Sequence, residues 1–300
     1  MDLRHLRYFI AVAEELHFGR AARRLHIAQP PLSQQIRALE EEIGVRLLDR
    51  NQRSVALTAA GALFLEEAYK TLAQAEHAVR VAQRASRGEI GRVRIGFVSS
   101  IAYGPFPTLL RTFRERSPGV ALELHELTTT SQTEALLTGK VDLGLFRLDA
   151  ESARAQRTGG LRLESLRTEP FVAVLPESHP LVARPRIDLT DLKDEDFVLF
   201  PRASNPGLHD YLVLACRKAG FELQVVQEAD LMQTLVALVA AGLGVALTPA
   251  SLQHLKFMGA VYRPLEAPGL ESQVVAAWRE DDASPVLAAL LETLRGPPGT

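Results

Sequence analysis

The feature that most constrains the fold is a long amphipathic segment between Thr58 and about Arg87. Its apolar residues recur at spacings of 3, 4, 3, 4 and 3, the heptad pattern of a coiled-coil seam. They are Leu65, Ala68, Leu72, Ala75, Val79 and Ala82. A helix of about 29 residues is about 43 Å long, more than a small domain can cover. We therefore expect the seam to pair with a second chain, with packing along its own domain as the alternative.

Three shorter helices are predicted before this segment. Apolar residues at helical spacing mark the first two, within residues 3–13 and 18–25. Gln29-Pro30-Pro31 opens the third, because proline is tolerated in a first helical turn, and Gly44 is placed to end it. Two short helices joined by a tight turn indicate a helix-turn-helix.

Residues 45–57 predict a β-hairpin that completes a winged helix. Two short apolar segments flank a polar tip that holds Arg50 and Arg53. We expect a winged helix-turn-helix domain over residues 1–58, a linker and dimerisation helix over 59–87, and a hinge at 88–91.

The third helix is the candidate DNA reader. Its apolar stripe leaves glutamine, serine and arginine side chains on the outer face, and these residue types bond base edges and phosphates. The predicted DNA-binding residues are Gln29, Pro30, Pro31, Ser33, Gln34, Arg37, Arg50 and Arg53. Three acids at the far end of this helix, Glu40, Glu41 and Glu42, are interpreted as a solvated face.

Charge is distributed unevenly along the chain. The net charge of the 300 residues is −2, which by itself does not indicate a nucleic-acid partner. Residues 1–95, however, carry 15 Lys and Arg against 11 Asp and Glu, whereas the remainder carries 19 against 25. This division predicts a mildly basic reader joined to an acidic second part.

From Arg92 onward the pattern alternates between strands and helices. Such alternation predicts parallel, doubly wound sheets, with one strand at Phe171–Leu175. We expect a two-lobed domain over residues 92–300 with a cleft between the lobes. Lobe I would contain about 92–165 and 266–300, and lobe II about 166–265.

Polar residues cluster at the predicted strand ends. In open α/β sheets, small ligands bind beyond the carboxyl ends of strands, often at helix N-termini. Hydroxyls and guanidinium groups converging there would suit a carboxylate, although Ser and Thr could instead only cap helices. The predicted effector-binding residues are Ser99, Ser100, Thr128, Thr129, Arg147, Pro201 and Arg202.

Other chemistry has little support in the sequence. The single cysteine, Cys216, cannot form an internal disulfide, which favours a reducing, cytoplasmic location. The longest apolar run, residues 235–247, is too short to span a membrane. The eight histidines lack metal-ligand spacing, so neither a metal nor a cofactor is expected. No catalytic motif is present, and no enzymatic activity is expected.

Residues 1–60 resemble the N-terminal domain of LysR-type transcriptional regulators. The matching runs are Leu3-Arg4-His5-Leu6-Arg7-Tyr8-Phe9, Ala21-Ala22-Arg23-Arg24-Leu25, Ala28-Gln29-Pro30-Pro31-Leu32-Ser33, Leu39-Glu40, Leu47-Leu48-Asp49-Arg50 and Leu57-Thr58-Ala59-Ala60-Gly61. The chain has Gln34 where the family often has arginine. The later runs 132–136, 176–181 and 239–242 are similar to the branch that responds to muconate, benzoate and chlorinated relatives.

The resemblance implies an all-α winged helix-turn-helix, a long linker helix and a two-lobed α/β domain similar to periplasmic binding proteins. By resemblance, Ser100, Thr129 and Pro201 match the primary acid pocket, with Arg147 as a charged neighbour. The family commonly forms homotetramers from homodimers.

We therefore expect a regulator of an aromatic-acid catabolic operon that acts as an activator under the control of a small organic acid. Its expected partners are pseudo-palindromic double-stranded DNA and RNA polymerase, without a membrane. The alternatives are a cytosolic small-molecule-binding protein and an α/β enzyme without DNA activity.

Overall fold

The structure is a computed structural model that describes residues 1–50, 54–154 and 157–295. The chain divides into two compact units, Met1–Arg84 and Ala85–Thr300. The first unit contains α1 (Leu3–Glu15), α2 (Phe18–Arg24), α3 (Gln29–Ile43), the strands β1 (Leu48–Arg50) and β2 (Val55–Leu57), and most of α4 (Ala59–Ser86).

The first unit is a winged helix-turn-helix around one apolar core. Phe9, Leu32, Ile36 and Leu39 are fully buried in that core. The hairpin β1–β2 is antiparallel. The third helix ends at Gly44, whose φ of +73° is a left-handed conformation that glycine adopts without strain.

The seam on α4 is buried in one half and exposed in the other. Ala68 is buried, and Leu65 and Leu72 pack against the core of the first unit. Beyond them Val79 is 58% exposed, and Ala82 is exposed. The helix therefore covers the first half of its stripe on its own domain and presents the second half at the surface.

The second unit is a mixed α/β domain. Its strands are β3 (Ile90–Phe97), β4 (Gly119–Glu126), β5 (Leu143–Leu148), β6 (Arg157–Thr158), β7 (Leu161–Pro176), β8 (Ile187–Asp188), β9 (Asp196–Leu199), β10 (Gln224–Glu228), β11 (Ala246–Pro249), β12 (Ala260–Glu266) and β13 (Glu271–Arg279). Its helices are α5 (Phe106–Arg116), α6 (Thr129–Leu137), α7 (Ala150–Arg154), α8 (Pro206–Lys218), α9 (Met232–Ala240) and α10 (Pro285–Arg295).

One nine-stranded sheet runs through this unit in the order β4-β3-β5-β13-β7-β12-β8, with β6 and β11 also pairing with β7. The strand β7 pairs with β13 through its first ten residues and with β11 and β12 through its last six. We call the β4-β3-β5-β13 side lobe I, and the side that holds β8 to β12 lobe II. Each lobe has its own buried apolar clusters.

The prediction of purely parallel sheets is wrong. In lobe I, β3 is parallel to β4 and β5, but β13 is antiparallel to both β5 and β7. Strand β13 comes late in the chain but lies between β5 and β7 in the middle of the sheet. This long-range pairing gives it the opposite direction to β3, β4 and β5. Local alternation of strands and helices carries no information about such a return.

The predicted strand at Phe171–Leu175 is only the end of a 16-residue strand. The first half of β7 alternates between buried and exposed residues, with charges on the exposed side, so it lacks a continuous apolar run. Strand β12, which contains Pro264, was not predicted either.

Candidate DNA-reading surface and effector cavity

The exposed face of α3 carries the predicted DNA-reading residues. Gln29, Pro30, Pro31, Gln34 and Arg37 are exposed, and Ser33 is half-buried. The two prolines occupy the first turn, where the N–H groups lack intrahelical acceptors. The buried stripe of the same helix faces the core, so these polar side chains all point away from it.

Arg50, which lies on the hairpin and was predicted to contact DNA, has side-chain partners within its own unit. Its Nη2 donates to Glu40 Oε2 at 2.6 Å, and its guanidinium lies 5.1 Å from the ring centre of Phe18. Burial lowers the pKa of Arg50, Glu40 opposes that shift, and Arg37 and Arg46 add to it. These contacts connect Arg50 to α3 and α2 within its own unit, and its contact with DNA stays a prediction. Arg53 lies outside the described residues.

The interpretation of Glu40 as part of a solvated face is wrong. Its side chain is only 12% exposed. Besides the Arg50 ion pair, Glu40 Oε1 accepts hydrogen bonds from Leu47 N at 2.9 Å and Leu48 N at 3.0 Å. Glu40 therefore ties the hairpin to the reading helix, whereas Glu41 and Glu42 are exposed.

A cavity of about 140 Å³ lies between the lobes of the second unit. The parallel strands β3, β4 and β5 end at the same edge of the sheet, which is where open sheets bind ligands. The lining residues are Val98, Ser99, Ser100, Glu126, Leu127, Thr128, Thr129, Arg147, Phe171, Phe200, Ser204, Asn205, Leu208, Asp230, Leu231, Met232, Leu247 and Pro249.

The cavity brings together five of the seven predicted effector-binding residues. Ser99 and Ser100 begin a 3₁₀ turn after β3. Thr128 is the N-cap of α6 and accepts from the backbone of Ser131. The N-terminus of α6 also favours an anion, because its N–H groups point out of the helix.

The fifth residue, Arg147, is buried and surrounded by acceptors. Its Nε donates to Ser100 Oγ at 2.9 Å, Nη1 to Ser272 Oγ at 3.0 Å and Nη2 to Ser251 Oγ at 3.0 Å. Glu169 Oε2 lies 3.1 Å from Nη2. Burial lowers the pKa of Arg147 and Glu169 opposes that shift; the guanidinium remains charged, because arginine keeps its proton in proteins.

Arg147 also faces a second cavity of about 340 Å³, on the side where Glu169, Arg167 and Phe106 lie. The Arg147–Glu169 pair therefore forms part of the structure that separates two cavities. Glu169 was not predicted as a functional residue, because it lies inside the part of β7 that was not predicted as a strand.

The other two predicted residues, Pro201 and Arg202, do not line the cavity. Arg202 is exposed and donates from Nε and Nη2 to Asp210, both at 2.7 Å. They begin a short 3₁₀ turn, and the cavity is instead reached by Ser204 and Asn205 farther along.

Asn205 joins the two lobes and was not identified from sequence. Its Nδ2 donates to Thr129 Oγ1 at 3.1 Å and to the carbonyl of Arg147 at 2.8 Å. Its Oδ1 accepts from Leu208 N at 3.2 Å as the N-cap of α8. An Asn before a helix is a signal for such a cap, but its contacts across the lobes have no local signature.

Other chemistry is sparse in the described residues. Cys216 is fully buried, and burial raises the pKa of its thiol to about 11. Over residues 1–50, 54–154 and 157–295, the structure holds no group of three or more potential metal-binding side chains. Nor does any helix there have the length and apolarity needed to cross a membrane.

An exposed helix-turn-helix reader, joined to a domain with a ligand cavity, defines the class of ligand-responsive DNA-binding regulators. Residues 3–62 match the bacterial regulatory helix-turn-helix protein model of the lysR family, and residues 86–296 match the LysR substrate binding domain. The chain therefore belongs to the LysR family of transcriptional regulators, and the predicted fold class is confirmed.

Curated relatives carry the same architecture. The chain is 42% identical over 287 residues to the HTH-type transcriptional regulator AlsR of Bacillus subtilis strain 168, covering 96% of this chain and 93% of AlsR. It is 37% identical over 297 residues to BenM of Acinetobacter baylyi, covering 98% and 95%. These relatives are transcriptional regulators, so the chain is a regulator rather than an enzyme.

A solved structure extends the likeness to a DNA complex. Full-length CbnR complexed with its target DNA matches with a TM-score of 0.84 and 29% identity, covering 98% of this chain and 99% of CbnR. This match supports DNA binding, and the substrate-binding domain implies a small-molecule effector.

Proposed function

We propose that the protein activates an aromatic-acid catabolic operon when a small carboxylate, similar to benzoate or muconate, binds between its lobes. The observation that carries this proposal is the cavity at the strand ends, whose lining includes Ser99, Ser100, Thr128, Thr129 and the buried Arg147. Hydroxyl groups and a helix N-terminus bind carboxylates in proteins, and the guanidinium of Arg147 holds the Ser100 hydroxyl in place. The resemblance of residues 132–136, 176–181 and 239–242 to the branch that responds to muconate and benzoate supports the aromatic assignment.

The reading surface of α3, with Gln29, Pro30, Pro31, Ser33, Gln34 and Arg37, would enter the major groove of a pseudo-palindromic promoter site. Val79 and Ala82, on the exposed half of the α4 seam, would pair two chains and present two readers to successive half-sites. Two such dimers would form a homotetramer that bends the DNA.

Effector binding would change how the dimers associate, and with it the DNA bend and the contact with RNA polymerase. A ligand shifts such an equilibrium only through its different affinities for the two assemblies. The cavity lies between two lobes that meet through Asn205 and Thr129, so occupancy can alter the angle between them.

The first experiment is a gel shift with the full chain and the DNA directly upstream of its gene. We expect a sequence-preferring complex that weakens as salt rises, because phosphate contacts release counterions. Gln34→Ala and Arg37→Ala should weaken it, while Glu177→Gln, an exposed residue of the second unit, should not. A complex that is absent, or equally strong on unrelated DNA, would contradict the proposal.

The second experiment tests the effector. Benzoate and cis,cis-muconate are titrated while the melting temperature is followed, because a ligand that binds only the folded state stabilises it. At least one acid should raise the melting temperature of the wild type, and Ser100→Ala should reduce the shift. If Ser100→Ala binds as well as the wild type does, the assigned pocket is incorrect.

A further inference from the structure

The cavity wall holds two carboxylates as well as the groups that suit an anion. Glu126 ends β4, and Asp230 lies between β10 and α9; both are exposed and both line the cavity. Asp230 accepts a hydrogen bond from the hydroxyl of Ser204, which fixes the carboxylate without removing its charge. Among the described residues that line the cavity, Arg147 is the one lysine or arginine.

The positive charge of Arg147 is already compensated inside the protein. Its partner Glu169 is 3% exposed in its side chain and lies 3.1 Å away. All three guanidinium nitrogens also donate to serine hydroxyls. The side chains around the cavity therefore carry a net negative charge, formed by Glu126 and Asp230 together with a neutralised ion pair.

The hydrogen-bond donors that remain available to a ligand lie at one end of the cavity. They are the hydroxyls near the start of α6 and of the 3₁₀ turn after β3, where Ser99 and Thr129 are buried. A single carboxylate can be held there. A second carboxylate on the same ligand would have to lie among the remaining lining groups. These are apolar or acidic apart from Ser204 and Asn205, whose side chains already donate to groups of the protein.

The size of the cavity limits the ligand as well. Its volume of about 140 Å³ is close to that of an engineered protein cavity, about 150 Å³, that binds benzene. The remaining walls are apolar, with Phe171, Phe200, Leu208 and Leu247 among them. A ligand body of one ring or a short chain matches both the volume and the lining.

We propose that the cavity selects a compact monocarboxylate over a dicarboxylate of the same size, and that Glu126 and Asp230 determine this preference. The inference rests on the proposed function, because it concerns the same effector site. A like charge at about 8 Å in a partly solvated wall weakens binding roughly ten-fold. A second ligand carboxylate near either acid therefore carries a penalty of that order.

The test is calorimetric titration of the full chain with two pairs in which a methyl group replaces the second carboxylate, 4-methylbenzoate with terephthalate and butanoate with succinate, at pH 7 and fixed ionic strength. We expect the monoacid of at least one pair to bind, and to bind at least ten-fold more tightly than its diacid. The preference should shrink at high salt, because partly exposed charges are screened.

Charge-removing variants connect the preference to the two acids. Asp230→Asn keeps an oxygen to accept from Ser204, and Glu126→Gln keeps the side-chain shape. Each should reduce the preference several-fold, and the double variant should remove most of it. Glu177→Gln removes an exposed carboxylate outside the cavity lining and should leave the preference unchanged.

The outcomes separate this inference from the proposed function. A diacid that binds as tightly as its monoacid, or a double variant that keeps the full preference, overturns the selection by charge while leaving a carboxylate effector in place. If none of these four acids, benzoate or muconate binds the wild type, the carboxylate effector itself is contradicted, and this inference with it.

Discussion

Removing the Glu40 carboxylate should loosen the hairpin from the reading helix. In the structure this side chain accepts from two backbone N–H groups, of Leu47 and Leu48, and pairs with Arg50. Glu40→Ala removes all three interactions and leaves two N–H groups and a guanidinium without their acceptor. Glu40→Gln keeps one oxygen for the N–H groups and loses the charge.

The expected loss of stability follows from the burial of the Glu40–Arg50 pair, whose side chains are 12% and 24% exposed, respectively. Truncating one partner of a largely buried, hydrogen-bonded ion pair costs about 3–5 kcal/mol. We expect that range for Glu40→Ala and about 1–2 kcal/mol for Glu40→Gln, which loses only part of the interaction. Glu41→Ala, one residue farther on and exposed, should change the free energy of unfolding by less than about 0.5 kcal/mol.

Urea unfolding of the full chain shows which of the two units loses stability in the Glu40 variants. Trp278 is the single tryptophan and lies in a core cluster of the second unit, so its fluorescence follows that unit alone. Circular dichroism also follows the helices of the first unit. Glu40→Ala should move the helical transition to lower urea and leave the Trp278 transition in place. If Glu40→Ala is no more destabilising than Glu41→Ala, the assigned role of Glu40 is refuted.

Three further predictions concern the second unit. Asn205→Asp places an acceptor against the carbonyl of Arg147, so it should destabilise this unit by about 2–3 kcal/mol in urea unfolding. An unchanged midpoint would mean that the hydrogen bond from Asn205 to Arg147 does not stabilise the unit. Burial raises the pKa of the Cys216 thiol to about 11, whereas free thiols have a pKa near 8.5. At pH 8 the folded protein should therefore react with a disulfide reagent at least about 100-fold more slowly than the protein unfolded in urea. Equal rates would contradict the burial of Cys216. Burial raises the pKa of Asp142, but the hydrogen bonds and charge of Arg94 lower it more, so its folded pKa lies below the usual 3.8. The stability that Asp142 contributes is present above about pH 4 and is lost as pH falls through its folded pKa. Asp142→Asn should therefore flatten the fall in melting temperature below pH 4. A fall as steep as that of the wild type would refute the stabilising role of the Asp142 charge.

The reading unit was largely predictable because its signals are local. Apolar spacing, the Pro30-Pro31 start and the Gly44 end of α3 are all properties of short segments. The misinterpreted residue, Glu40, depends on a contact between a helix and a hairpin residue ten positions later. Sequence alone does not distinguish a solvated charge from a charge that accepts backbone hydrogen bonds.

The effector cavity was predictable where strand ends converge, and only there. Ser100 and Thr129 were found because the carboxyl ends of parallel strands meet at one edge. The partners of Arg147 come from residues 104 and 125 positions later, Ser251 and Ser272. Ser272 is placed by the return of β13 to the middle of the sheet, and Ser251 by the 3₁₀ turn after β11. No local pattern encodes that these two segments meet at Arg147.

We propose that occupancy of the cavity controls how the protein holds DNA. A nuclease footprint on the upstream DNA measures this control, with benzoate titrated onto the full chain and onto Ser100→Ala. Benzoate should change the extent of protection or the enhanced cleavage at bends for the wild type, and Ser100→Ala should require more benzoate for the same change. A footprint that stays identical while calorimetry shows benzoate bound to the wild type would contradict control of DNA binding by the effector.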